Sequence, residues 1–269
     1  MERSGIILEG GAIRGVFTAG VLDFLMEKDY YFPYVAGVSA GSGNAVGYVS
    51  KQKGRTKKCM IITDKENQYM SLKKTIRNKS LFDMDLLYDR FPNEIFPFDY
   101  ETYFRSDTVC ELVVTNCLTG KAEYLSEKED RDRLMVICRA SSSIPVASPM
   151  VMIDGTPYLD GGLADSVPIV HALETGHKKN VTRAHLYHAF YRDYPELVRT
   201  LCNRANMYNR TMTLIEKWEK EGRVFVIRPE IAAVSRTEQN TEVLNEFYRH
   251  GYEQMEKQFE AMKKFLESK

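Results

Sequence analysis

Apolar runs and glycine loops alternate along the first fifty residues of the 269-residue chain. Gly5 to Glu9 is a short apolar run of strand character, and Val16, Ala19, Gly20, Leu22, Leu25 and Met26 then recur at helical spacing, predicting a helix over Val16 to Lys28. Tyr34 to Val38 is a second apolar strand, and the small residues of Ala40 to Val49 read as a closely packed helix. Two strand-loop-helix units in succession favour a parallel sheet.

The pattern changes over Lys51 to Ser106, which begins basic, turns helical and ends in the aromatic cluster Phe91, Phe96, Phe98, Tyr100, Tyr103 and Phe104. It reads as an insertion over the sheet. Val109 to Thr115 and Lys121 to Leu125, joined by Thr119-Gly120, predict a hairpin on the sheet edge. A helix over Asp130 to Arg139 ends in Ala140-Ser141-Ser142-Ser143-Ile144-Pro145, and a second hairpin, Val151 to Ile153 and Pro157 to Leu159, delivers Asp160 at a strand end. Beyond it the expected elements are a helix over Val167 to Glu174, a strand at Val181 to Arg183, helices over Pro195 to Cys202 and Met207 to Glu221, a strand over Arg223 to Ile227, and a long amphipathic helix from Thr241 to Lys269.

Length suits one large α/β domain. Lys+Arg and Asp+Glu both number 37, so net charge is zero, and neither a nucleic-acid surface nor a polybasic membrane tether is indicated. No apolar run approaches the ~20 residues of a membrane span, and the chain opens on a strand and glycine loop rather than a signal-like segment, so it reads as soluble and cytoplasmic. Five cysteines are scattered without zinc or redox spacing, and no loop has calcium-binding spacing, so neither metal nor cofactor is expected.

Candidate chemistry centres on Gly37-Val38-Ser39-Ala40-Gly41, a Gly-x-Ser-x-Gly pentad at a strand-to-helix turn. Ser39 is the candidate nucleophile, with Gly37 and Gly41 sparing the tight turn bulky side chains. The loop Gly10-Gly11-Ala12-Ile13-Arg14-Gly15 presents unobstructed amides suited to an oxyanion hole. Its rival use, phosphate binding, wants glycine where Ala12 stands. Arg14 is placed to steady the loop or to meet an anionic head group. For the base, the five histidines His171, His177, His185, His188 and His250 all follow Asp160 and lack strand-end context. Asp160 is the other candidate, provided burial raises its basicity, and Gly161-Gly162 allows its close approach to the elbow.

Together these motifs resemble the patatin-like phospholipases, and more closely their bacterial branch. The likeness rests on the Gly10 loop, the Ser39 elbow and Asp160-Gly161-Gly162 followed by Asp165-Ser166-Val167-Pro168-Ile169, with support from Val181-Thr182-Arg183 and Val226-Ile227-Arg228-Pro229. The resemblance implies a three-layer α/β/α fold with a mainly parallel central sheet, a catalytic core over 5–183, and a helical extension over 184–269 that carries one strand and packs on the same domain. It implies a Ser39–Asp160 dyad without catalytic histidine, an oxyanion hole from Gly10, Gly11 and Ala12 with Arg14 beside them, and a serine-rich turn at Ser141 to Pro145 supporting the site. Ala12 departs from the commoner third glycine. The implied reaction is acyl-ester hydrolysis on phospholipids, lysophospholipids or other acyl lipids through an acyl-enzyme. The alternatives are a triad esterase using a histidine, or a non-catalytic lipid or phosphate binder. The aromatics of 91–104 read first as core, with a lid over an apolar groove or contact with a bilayer as the other reading.

Overall fold

The computed structural model describes residues 4–70, 82–173, 191 and 193–268. Its opening follows the sequence pattern: strand β1 (Gly5–Leu8), a single 3-10 turn (Ala12–Arg14), helix α1 (Gly15–Glu27), strand β2 (Tyr34–Val38) and helix α2 (Ala40–Val49). α3 (Arg55–Met60), a wide helical turn (Leu86–Ile95) and α4 (Tyr100–Arg105) form the insertion. The wide turn holds Pro92, and Phe96 N–H reaches back five residues to the Phe91 carbonyl at 2.7 Å. Then come β3 (Val109–Asn116), β4 (Ala122–Leu125), α5 (Arg131–Ser141), β5 (Val151–Ile153), β6 (Thr156–Asp160), a 3-10 turn (Gly161–Leu163), α6 (Ile169–Leu173), α7 (Pro195–Lys220) and α8 (Thr241–Glu267). Asp130 caps α5 by accepting from the Asp132 and Arg133 amides, and Asn240 caps α8 in the same way.

The sheet runs β1-β2-β3-β6-β5, with β4 also on β3. β1, β2 and β3 are mutually parallel, while β4 and β6 pair antiparallel with β3 and β5 with β6. Its two faces follow the period-two alternation of strands: Ile6 and Leu8 enter the main core with α1, α2, α5 and α8, whereas Ile7 packs against Ile215 of α7 and Val167. Tyr158 and Leu159 divide likewise, Leu159 meeting Leu197 and Leu201 of α7. The result is the expected three-layer α/β/α arrangement.

Four expectations need correction or placement. β3 is an interior strand with partners on both edges, so only the β4 half of the first hairpin lies at the sheet margin. Pro195 to Lys220 is one continuous helix, because nothing between Cys202 and Met207 breaks it. Arg223 to Ile227 forms no strand: Val224 and Val226 pack toward α7 while Phe225 and Ile227 pack toward the main core, so side-chain packing holds it without a ladder. The Val181 to Arg183 strand lies outside the described residues.

α8 crosses α1 at backbone contact. A Cβ on Gly20 would collide with the Tyr248 carbonyl, and one on Gly251 with the Phe17 carbonyl, so the two glycines admit the close crossing. Of the aromatics of the insertion, Phe91, Phe98, Tyr100 and Tyr103 are buried and Phe96 and Phe104 half-buried, all packed with the main core.

Candidate active site

The register of β3 builds the site. Val38 of β2 pairs with Val113, and Asp160 of β6 pairs with Val114, the next residue. Since β4 spans Leu112 to Thr115 along β3, β2 and β6 must share the opposite edge, one following the other. The end of β2, which carries Ser39, therefore meets the end of β6, which carries Asp160.

Ser39 has φ 55 and ψ −122, a conformation that L-residues avoid and that turns its side chain out of the strand-to-helix bend. The bend exists because its neighbours are glycines: a Cβ on Gly37 would strike the Gly41 carbonyl, and one on Gly41 would strike the Leu8 carbonyl. The Ser39 N–H donates to Ser141 Oγ at 3.0 Å, and Ser141 Oγ donates to the Val113 carbonyl at 2.7 Å. Ser141 thus ties the elbow to β3. Ser42 adds a 2.6 Å hydrogen bond from its hydroxyl to the Ser39 carbonyl.

Asp160 is 6 % exposed. Its carboxylate accepts the Gly162 N–H at 2.8 Å and stands close enough to the Ser39 hydroxyl for that group to favour its ionised form. Its own peptide is pinned by Asp160 N–H donating to the Ser143 carbonyl at 2.9 Å and by Thr115 Oγ1 donating to the Asp160 carbonyl at 2.9 Å. Burial pushes the Asp160 carboxyl up to about 6, against the pull of the Ser39 and Gly162 hydrogen bonds and the positive charges of Arg204 and Arg236. Gly161 lies where a Cβ would strike the Val113 carbonyl, so this strand end cannot carry a larger residue.

The glycine loop packs directly on the nucleophile, a Cβ on Gly10 falling 3.0 Å from that of Ser39. The Gly10, Gly11 and Ala12 amides make no backbone hydrogen bond among the described residues. Ala12 has φ 51, in the left-handed region that favours glycine, which accounts for the third glycine of the commoner pattern. Arg14 turns away to donate from Nε to the Val234 carbonyl at 2.7 Å, so it fastens the loop to the segment before α8.

An apolar cavity opens from Ser39, Ala12 and Ile13 and runs between α2, α3, the wide turn and α5, leaving about 140 Å³ accessible to the centre of a water molecule. Val46, Met60, Leu87, Phe91 and Met135 wall it. Phe91 comes from the aromatic stretch whose second reading is a lid over an apolar groove, while the other wall residues have no such signal because they belong to elements far apart in sequence or to other parts of the insertion.

His171 and His250 are engaged elsewhere. His171 Nε2 lies 2.9 Å from Glu111 Oε2 and its ring stacks on Tyr124, and His250 Nε2 accepts from the Glu230 N–H at 2.9 Å. His177, His185 and His188 lie outside the described residues. One contact at the site had no signal in the sequence: Arg204 of α7 donates from Nε to the Gly162 carbonyl at 2.6 Å. Ser141 had a partial one, its place in the serine-rich turn.

Among known proteins, the chain is similar to YjjU, an uncharacterized protein of Escherichia coli strain K12, with 28% identity over 179 residues, 65% of this chain and 50% of that protein. It thus spans about half the length of that curated relative. The crystal structure of VipD from Legionella pneumophila aligns over 97% of this chain and 67% of that one, at 14% identity and a TM-score of 0.49. Residues 194–267 match a domain of unknown function, DUF6363. Residues 6–173, which hold the Gly10 loop, the Ser39 elbow and Asp160, match the patatin-like phospholipase model, and the chain belongs to that family.

Proposed function

We propose that the protein is a serine acyl hydrolase that cleaves ester bonds of phospholipids, lysophospholipids or other acyl lipids through a Ser39–Asp160 dyad. The observation that carries this reading is a buried carboxylate beside a serine on a strained elbow, at the mouth of an apolar cavity. Family membership supports lipid acyl hydrolysis as the general activity.

In the proposed reaction Ser39 Oγ attacks the acyl carbonyl carbon while the Asp160 carboxylate takes the hydroxyl proton. Charge on the carbonyl oxygen is met by the amides of Gly10, Gly11 and Ala12, each well-placed donor contributing roughly 3 kcal/mol. Collapse breaks the ester C–O bond, and Asp160 passes its proton to the departing alcohol. Water then attacks the acyl-enzyme, Asp160 takes its proton and returns it to Ser39 Oγ, and the fatty acid leaves. A carboxyl near 6 is largely ionised at neutral pH yet more basic than an ordinary aspartate, which suits both proton transfers. The acyl chain would occupy the cavity lined by Val46, Met60 and Phe91.

The test is covalent labelling by a fluorophosphonate together with hydrolysis of esters varied in head group and chain length, with Ser39→Ala as the blank. Labelling that vanishes in Ser39→Ala and turnover abolished by Asp160→Asn are expected. Absence of labelling, with wild-type turnover equal to the blank on every ester, would refute the hydrolase reading and leave a non-catalytic lipid binder.

A further inference from the structure

We propose that Arg204, on the helix α7 outside the patatin-like segment, is a positioning residue for the reaction at Ser39, fixing Gly162, whose N–H orients the Asp160 carboxylate. The inference rests on the reading of Asp160 as the base.

Leu197, Leu201, Arg204 and Tyr208 stand at spacings of four, three and four on α7, so they share one face. Leu197 and Leu201 are buried against Leu159 and Leu163, the residues flanking Asp160 and its glycines. That apolar contact sets the helix at a fixed depth, and one turn later Arg204 Nε reaches the Gly162 carbonyl at 2.6 Å. Ser166 Oγ donates to the same oxygen at 2.7 Å. With two donors on its carbonyl, the peptide that joins Gly162 to Leu163 is held in one orientation, and Gly162 is restrained from that side. The N–H of Gly162 is what Asp160 Oδ1 accepts at 2.8 Å, so restraint passes from α7 to the carboxylate through one residue.

The same guanidinium acts by charge. Among the described residues, the side chains that act electrostatically on or with Asp160 include Ser39 at the start of α2, Tyr88 in the wide turn, Arg204 on α7 and Arg236 in the segment before α8. Only the two arginines are cationic. Glu9, at the end of β1, draws on the same two charges, and Tyr208 donates to it at 2.9 Å. Removing Arg204 therefore loosens the carboxylate and weakens the charge that favours its ionised form.

The test is a pH series of kcat and KM on a soluble short-chain ester for wild type, Arg204→Gln, Arg204→Lys and Asp160→Asn, with the unfolding midpoint of each. Arg204→Gln is expected to lower plateau kcat by roughly 10- to 100-fold with KM within about twofold, as a misplaced reacting group does. Its acid limb is expected to move to higher pH by at least about half a unit, since loss of a nearby cation raises a carboxyl pKa. Arg204→Lys keeps the charge but not the planar fork, so the limb should return to the wild-type position while plateau kcat recovers only in part. Should Arg204→Gln not fold, a wild-type plateau kcat in Arg204→Lys would overturn the proposal, and a lowered one with an unmoved limb would support it. It is equally overturned if Arg204→Gln keeps kcat within about twofold and an unmoved limb, or if its kcat loss only tracks a fall in unfolding midpoint without movement of the limb. Asp160→Asn separates the two levels: if that variant is active, the dyad itself fails, whereas if it is inactive and Arg204→Gln is like wild type, this inference alone fails.

Discussion

Replacing Asp160 by asparagine should stabilise the folded protein while removing its activity, and the gain should depend on pH in a defined way. In the fold the Asp160 carboxyl stands at about 6 against an ordinary value of 3.8, with burial as the main cause. A group whose folded value is raised favours the folded state most at low pH, and that advantage is lost as pH rises from the unfolded value through the folded one. At pH 8 the charged carboxylate costs the fold about 3 kcal/mol, from a shift of roughly two units at 1.36 kcal/mol each. The same linkage leaves about 1.5 kcal/mol at pH 5 and about 0.5 kcal/mol at pH 4. Asparagine carries no charge at any of these values. Its amide oxygen can still accept the Gly162 N–H, and its NH₂ can donate to Ser39 Oγ, so both hydrogen bonds persist. Urea unfolding of wild type and Asp160→Asn at pH 8, 5 and 4 measures the difference. A variant more stable at pH 8 by about 2–3 kcal/mol, with the gap closing toward pH 4, is expected. A gap that is absent at pH 8, or constant with pH, refutes the claim that desolvation of this carboxylate sets its basicity.

Three further outcomes follow from the same geometry. The wild-type profile of kcat/KM should fall below an apparent pKa of about 6, by about tenfold per pH unit once Asp160 is protonated, and a limb near 4 would contradict a desolvated base. Ser141→Ala strips the Ser39 N–H of its acceptor and the Val113 carbonyl of its donor, so about 1–3 kcal/mol of stability should be lost in chemical denaturation, together with at least roughly tenfold in kcat. His171→Gln and His250→Gln should each leave kcat within about threefold of wild type, because both rings are committed to partners away from Ser39, and a loss of about 10³ or more in either would restore a histidine to the mechanism.

The first strand-loop-helix units were legible because periodicity and glycine agree there: β2 and α2 fall on the predicted residues, and Gly37 and Gly41 sit where backbone carbonyls exclude a side chain. The hairpin that ends on Asp160 was legible for the same reason, Asp154-Gly155 marking its turn. What could not be read was pairing. No local feature of Val113 and Val114 says that they receive β2 and β6 in turn, and that register is what brings Ser39 to Asp160. The Arg223 to Ile227 segment shows the opposite failure: its alternation is genuine, but it reflects two packing clusters rather than a ladder. Arg204 was invisible, and the cavity was legible only through the aromatics of 91–104, because each depends on elements far apart in sequence meeting at one place.

An aspartate can serve where a histidine is usual only if two opposing effects stop at the right point. Burial alone would push Asp160 higher still and leave less of it ionised to take the Ser39 proton, while full solvation would leave it near 3.8 and too weak a base. The interior of the sheet end supplies the desolvation, through Thr115, Gly161 and the packing of Leu159 and Leu163 under α7. The restraint comes from Ser39, the Gly162 N–H and the arginines at 204 and 236. Both arginines lie in the segment that matches a domain of unknown function, beyond the one that carries Ser39 and Asp160. With Asp160 as the proposed base, the helical extension would set its working range, and the proposed site would draw on the patatin-like segment together with α7 and the loop before α8.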